Sequence, residues 1–189
     1  MKILRLASAT DLHLHPDSAL IPEGRPMFYP DIHDSWEARF YLAIRINRLG
    51  KRISTRFASR YYDAVALAVR IVPKECTDNA AATTDTPLAG GWLDALDNSI
   101  THGPWMPPTP DTFSDITVTI NSTTATGLPS VNISAATPDI GINEAVNLCS
   151  RYTTLRTGDI ILLPLGSALP LLPRTRLTAS SDLLNLKVV

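Results

Sequence analysis

Nine consecutive residues, Ala64-Val65-Ala66-Leu67-Ala68-Val69-Arg70-Ile71-Val72, alternate in size more strictly than any other part of the chain. Successive side chains of a strand point to opposite faces. Val65, Leu67, Val69 and Ile71 therefore share one face, and Ala64, Ala66, Ala68 and Arg70 share the other. The first face suits a core. The second, small residues ending in a cation, suits a cavity or the close approach of neighbouring backbone. Residues 36–46 are aromatic and β-branched enough for another strand, with Glu37, Arg39 and Tyr41 pointing the same way. Fifteen prolines in 189 residues exceed the usual share of about 5%. That excess argues against a helix bundle and for a loop-rich, strand-rich fold.

The remaining segments fit the same picture. Residues 11–34 carry His13, His15, Pro16, Gly24, Pro26 and Pro30, and are expected to form loop with short extended pieces. Ser54 or Thr55 is placed to cap a short helix through Phe57, Ala58, Tyr61 and Tyr62. Residues 76–91 are rich in Thr, Ala, Asp and Gly, and read as a flexible loop. Leu96-Asp97-Asn98-Ser99 and His102-Gly103-Pro104-Trp105 read as turn chemistry. Residues 116–120 alternate as a half-buried strand. Ile142, Ala145, Val146 and Cys149 have helical spacing, so a helix is expected over 140–152. Thr157-Gly158-Asp159 turns into a strand over 160–163, and residues 176–189 offer two short strands around Ser180-Ser181-Asp182. No repeat and no composition break divides the chain, so 1–189 is expected to be one mostly-β α+β domain.

Charge and composition exclude several classes. With 17 basic against 18 acidic residues, the net charge of −1 offers no broad basic field for nucleic acid. The apolar stretch 160–173 is cut by Pro164, Gly166, Pro170 and Pro173, too short and broken for a membrane helix. The start, Met1-Lys2-Ile3-Leu4-Arg5-Leu6, has a charge inside its apolar run and leaves no room for a signal-peptide core. Cys76 and Cys149 are far apart and read as two reduced thiols. A cytoplasmic protein is the expectation, with neither nucleic acid nor membrane as partner.

Common catalytic motifs are missing. There is no phosphate-binding glycine loop, and Gly166-Ser167 lacks the second glycine of a nucleophile elbow. His13 and His15 form an H-x-H pair that a strand would place on one face, as some metal sites require. Without a third ligand in the sequence, such a pair more often lies on the surface. Asp31, His33 and Asp34 read as a solvated loop.

The order of the segments, taken together, resembles the fumarylacetoacetate hydrolase family, especially its small single-domain acylpyruvate hydrolase-like members. His15-Pro16-Asp17-Ser18-Ala19-Leu20 with Gly24-Arg25-Pro26 resembles the family's KP-x-S/T-A-L … G-x-P opening. Leu42-Ala43-Ile44-Arg45-Ile46 and Gly50-Lys51-Arg52-Ile53 resemble its ELAVVIG … GKxI. Residues 58–72 match its helix and following strand. Leu96-Asp97-Asn98-Ser99 resembles FDNS, Gly103-Pro104-Trp105 resembles GPW, and Ser150 with residues 154–162 resembles S…TLKPGDVIL. The likeness spans about residues 15–189. It implies a mixed β-sandwich roll with short flanking helices, a homodimer, and hydrolysis of a carbon–carbon bond in a 1,3-diketo acid.

In that family an E-x-E pair and a later aspartate hold a divalent ion, usually magnesium, which needs oxygen ligands and stabilises the departing enolate. Ungapped alignment places those positions on Arg39, Tyr41 and Arg70. A two-residue shift would instead put Glu37 first and Arg39 second. The family's later arginine and aspartate correspond to Lys74 and Glu75, and its substrate-binding lysine to Asp94. Its substrate loop corresponds to Leu163-Pro164-Leu165-Gly166-Ser167-Ala168-Leu169. Residues 1–14 read as a truncated remnant of its N-terminal lid. The expectation is a family-like protein that has lost metal-dependent hydrolysis and needs no cofactor. Its Arg39, Arg70 and Lys74 would hold a small anionic metabolite, or the two arginines would pair with Glu37 or Asp94. The alternative is an active acylpyruvate hydrolase or isomerase rebuilt around His13, His15, Glu37 or Asp94. A third possibility is a dimer partner of an active paralogue.

Overall fold

The computed structural model describes residues 1–22, 24–74, 91–109, 117–122, 130–132 and 138–189. The segment that dominates the sequence forms strand β4 (Tyr62–Pro73), which pairs antiparallel along its length with β3 (Trp36–Ile46). Leu42 opposes Leu67, Phe40 opposes Val69, and Arg39 opposes Arg70. Around this pair the sheet gains β1 (Ile3–Ser8), β2 (Asp11–His15), β5 (Ile100–His102) and β8 (Ile160–Leu171), in the order β2-β1-β8-β3-β4-β5. A second sheet, β10-β9-β6-β7, is built from β6 (Thr117–Ser122), β7 (Ser130–Asn132), β9 (Thr175–Ala179) and β10 (Asn185–Lys187).

Both faces of β4 are buried, as its alternation requires. Val65, Leu67, Val69 and Ile71 join the large core with Phe40, Leu42, Ile44 and Leu163, together with Val118, Leu177 and Leu186 of the second sheet. Ala66 and Ala68 lie in a separate cluster with Tyr41, Ala43, Ile100 and Leu162. The helix α1 (Ile142–Tyr152) places Ala145, Val146 and Cys149 into the large core. Burial pushes the Cys149 thiol up to about 12, so it stays protonated and inert at neutral pH. Cys76 lies outside the described residues.

Several expectations need adjustment. Residues 11–15 are one of the short extended pieces expected in 11–34, and residues 1–14, read as a lid remnant, help build an edge hairpin of the main sheet: β1 pairs antiparallel with β2 and parallel with β8. The segment after Ser54 is a 3-10 turn, Thr55–Arg60, and the Ser54 side chain does not cap it. His102, read as turn, instead ends strand β5, which pairs with β4 from Ala68 to Arg70. The strand expected over 160–163 runs on to Leu171 despite two prolines. Pairing with β1 stops at Leu162, so Pro164 and Pro170 fall where only β3 is paired to β8. Register shifts between Arg39 and Tyr41, where the extra residues of β8 bulge around Gly166 at φ +69°. The loop expected over 76–91 lies outside the described residues except Gly91, which starts a 3-10 turn, Gly91–Leu93.

The motifs that carried the family resemblance act here as backbone joints. Asp159, buried, accepts the backbone N–H groups of Lys2 (3.0 Å) and Arg156 (2.8 Å) and pairs with the Lys2 ammonium. This ties the chain start to the Thr157-Gly158-Asp159 turn. Ser150 accepts the Ile53 N–H (2.8 Å) while Asn147 donates to the Ile53 carbonyl (2.6 Å), so α1 clasps the Gly50–Ile53 turn. Ser99 donates to the Leu96 carbonyl (2.6 Å), and the Ile71 N–H donates to the Ser99 carbonyl (2.8 Å), closing the Leu96–Ser99 turn onto β4. Gly103 is the tightest joint. Its N–H donates to the Leu67 carbonyl, and a Cβ there would stand 1.8 Å from the Leu183 carbonyl oxygen. Both neighbours are backbone, so neither can rotate away. Gly103→Ala is expected to cost about 3 kcal/mol, read as a lower urea midpoint at unchanged slope; wild-type stability in this variant would contradict the packing.

Candidate functional site

One face of the six-stranded sheet gathers nearly all the charged residues that the sequence singles out. Register places His13 and His15 of β2, Arg5 of β1, Glu37, Arg39 and Tyr41 of β3, and Arg70 of β4 on that side. Its floor is made by Ala43, Ala66 and Ala68. Those alanines pack with Ala19 and Ile100, and the segment after Gly91 delivers Asp94 to the Arg5, His13 and Arg70 side chains.

Asp94 is the hub. Its Oδ1 accepts from Arg70 Nη2 at 3.1 Å and from Arg5 Nη2 at 3.5 Å. Its Oδ2 lies 2.6 Å from His13 Nδ1. The Asp94 carbonyl accepts from His15 Nδ1 at 2.9 Å, which fixes the proton on that nitrogen and leaves Nε2 as a bare lone pair 3.6 Å from Oδ1. Arg70 also donates to the Leu93 carbonyl at 3.2 Å. Arg5, His15 and Arg70 are buried, at no more than 1% exposure. His13 Nε2 faces Asp11 Oδ1 at 2.9 Å, at ion-pair distance but without hydrogen-bond alignment. Beside this cluster Arg39 Nε donates to Glu37 Oε1 at 2.6 Å.

The surroundings set the charge states. Burial alone would push the Asp94 carboxyl up, but the His13 hydrogen bond and the Arg70 charge outweigh it and hold the group below the ordinary carboxylate range. Burial lowers His15 from 6.5 to about 4, and the adjacent Arg70 charge pushes the same way. His15 is therefore neutral at pH 7.

Glu37, Arg39, Tyr41, Arg70 and Asp94 thus share one face, with Arg39 against Glu37 and Arg70 against Asp94 as two ion pairs. Tyr41, 2% exposed, packs in the alanine-lined cluster. Lys74 is exposed beyond β4 and takes no part in these pairs; Glu75 lies outside the described residues. The surface position expected for the H-x-H pair is wrong for His15, which is fully buried because the segment carrying Asp94 covers it. Two participants, Arg5 and Asp11, were not singled out from sequence. The signal for Arg5 was present: a cation inside the apolar run Ile3-Leu4-Arg5-Leu6 must find a partner once that run is buried.

A hard divalent cation needs converging oxygen ligands. Among the described residues no group of three or more His, Cys, Asp or Glu side chains is arranged to hold a metal. The three positions that ungapped alignment assigns to metal ligands carry two guanidiniums and a phenol, so they do not fit the ion.

No protein-family model matches the chain, and no curated protein matches it. Solved structures do. Maleylpyruvate hydrolase from Sphingobium sp. SYK-6 superposes with a TM-score of 0.74 at 18% identity, over 100% of this chain and 70% of that one. Fumarylpyruvate hydrolase from Pseudomonas aeruginosa, in complex with Mn2+ and pyruvate, gives 0.71 at 14% identity, over 100% and 89%. A Yersinia pestis CO92 protein provisionally assigned to the fumarylacetoacetate hydrolase family gives 0.75 at 21%, over 100% and 92%. The chain therefore has the fold of fumarylacetoacetate hydrolase-family proteins, at low sequence identity. Among the described residues no helix is long and apolar enough to cross a membrane.

Two outcomes follow from the Asp94 cluster. Asp94→Asn removes the carboxylate that Arg5 and Arg70 share and is expected to cost about 3 kcal/mol in urea unfolding; an unchanged midpoint would show the pairs to be energetically idle. Above pH 6.5 His15 is neutral whether folded or unfolded. As pH falls from 6.5 toward about 4, the unfolded chain takes up a proton that the fold refuses, so stability drops across that window, by about 3 kcal/mol in all. His15→Asn keeps an N–H for the Asp94 carbonyl without the titration and should flatten that part of the acid limb. Identical limbs in variant and wild type would assign the loss elsewhere.

Proposed function

We propose that this chain keeps the fold of acylpyruvate hydrolases without their metal-dependent chemistry, the metal-ligand positions having become an ion-paired structural face. The observation that carries this reading is the pairing of Arg39 directly across from Arg70, each engaged by its own carboxylate, Glu37 and Asp94. A divalent ion between two guanidiniums would meet repulsion of about 1 kcal/mol per unit-charge pair at 4 Å even in bulk water, and several times that inside a protein. The shifted alignment offers no better site. It supplies one carboxylate, Glu37, whose charge Arg39 already neutralises. The protein then acts by binding or assembly, as a cytoplasmic homodimer through the β-roll, and the arginine face can take a small anionic metabolite only by displacing these pairs.

Calorimetric titration with MgCl2 and with MnCl2 should give no saturable heat at millimolar metal. Maleylpyruvate and fumarylpyruvate, named for two of the structural neighbours, should remain unhydrolysed in the presence of either ion. Saturable metal binding together with metal-dependent turnover would overturn this reading.

One observation favours a second reading, a rebuilt hydrolase or isomerase: His13, His15 and Asp94 do converge, with His13 held through Nδ1 as a general acid or base would be. Its signature is metal-independent turnover of either substrate that His13→Gln abolishes while the unfolding midpoint stays near wild type.

A further inference from the structure

The second sheet carries a charge arrangement that the Asp94 face does not explain. On the β9–β10 pair, Arg176 stands directly across from Lys187. Like charges in register across a strand pair repel, and sheets normally place an acid opposite or diagonal to a cation. Among the described residues no carboxylate lies within ion-pairing distance of either side chain; Arg176 donates to the Asn185 side-chain oxygen at 3.0 Å, which orients the guanidinium without neutralising it. Both are exposed and line an open cavity of about 440 Å3 beside Gly103, whose wall also includes Arg25 on the Gly24–Pro26 turn. Among the described residues Asp182 is the one acid in that wall, against three cations. Arg174 lines an adjoining cavity that shares Arg176 and Lys187. The cavity has no lining residue in common with the cluster around Asp94.

We propose that Arg25, Arg176 and Lys187 form a binding site for a small molecule bearing a phosphate-type polyanion. Three cations bordering one half-enclosed space focus a positive field there. A group with several charged oxygens can take the two guanidinium forks and the ammonium together, in charge-assisted hydrogen bonds. Occupation also relieves the repulsion between Arg176 and Lys187, which is the gain a neutral ligand could not provide. The site is independent of whether the opposite face binds metal or performs chemistry.

The test is a titration of the full chain with pyrophosphate, followed by calorimetry and by backbone amide shifts, with citrate as a second probe. Saturable binding is expected, with shifts at Gly103 and Leu186 and an affinity that falls as NaCl is raised. Arg176→Ala and Lys187→Ala should each weaken it about tenfold, and the double variant should abolish it without lowering the thermal unfolding temperature, since it also removes the cross-strand repulsion. Arg151→Ala, an exposed cation on α1, should change nothing. The proposal fails if pyrophosphate gives no saturable response, if the double variant binds as wild type does, or if Arg151→Ala loses as much. Citrate binding without pyrophosphate binding would overturn the phosphate assignment.

Discussion

The pairing of β3 with β4 decides most of what this molecule is. Its register sets large apolar side chains on one side, where they meet the second sheet and α1, and alanines on the other. A one-residue slip would exchange those faces and bury Arg39, Arg45 and Arg70 in the large core, at a cost no partner there could offset. The same register brings Arg39 opposite Arg70. The arginine pair is thus a consequence of the core pattern, and the carboxylates Glu37 and Asp94 are what make that consequence tolerable.

Two kinds of residue can be separated along the stretch resembling the family. Gly103, Ser99, Ser150, Gly158 and Asp159 shape backbone: each closes a turn, permits a close approach, or satisfies N–H groups across a joint. These remain recognisable. The positions that the resemblance assigns to a metal, Arg39, Tyr41 and Arg70, carry two guanidiniums and a phenol, and the one it assigns to a lysine carries Asp94. In the folded chain Arg70 and Asp94 pair with each other at 3.1 Å, so the two charges cancel locally. That is how a balanced net charge of −1 can accompany a face holding several buried charges.

Legibility from sequence followed the same division. Strand β3 and the two faces of β4 could be read from period alone, because both faces are buried and each residue type reports its side. The length of β8 could not, since prolines normally stop a strand and only the three-dimensional fact that β1 ends at Leu162 makes Pro164 and Pro170 harmless. Glu37, Arg39 and Tyr41 could be grouped by alternation, but the convergence of His13, His15 and Arg5 on Asp94 spans about eighty residues of chain and depends on a covering segment whose path no local pattern encodes. His15 illustrates the gap: a histidine in a polar-looking stretch reads as exposed until something is known to lie over it.

The charge of the Asp94 cluster bears on what the face can do. Asp94 accepts from two buried guanidiniums and from His13, and its own backbone carbonyl accepts from His15, which burial and the Arg70 charge keep neutral. A carboxylate so engaged has few lone pairs left for a metal or for a proton in flight. His13 is flanked by Asp94 and Asp11, and His15 presents a lone pair toward the oxygen of the same carboxylate. For this cluster to perform acid–base chemistry, a substrate would have to displace a charge pair that also holds the covering segment in place. Binding and reshaping of the face would then be one event. The energy of that event would come from the ligand's own charge, since only a negative group can replace a carboxylate at Arg5 and Arg70 without leaving the guanidiniums unbalanced.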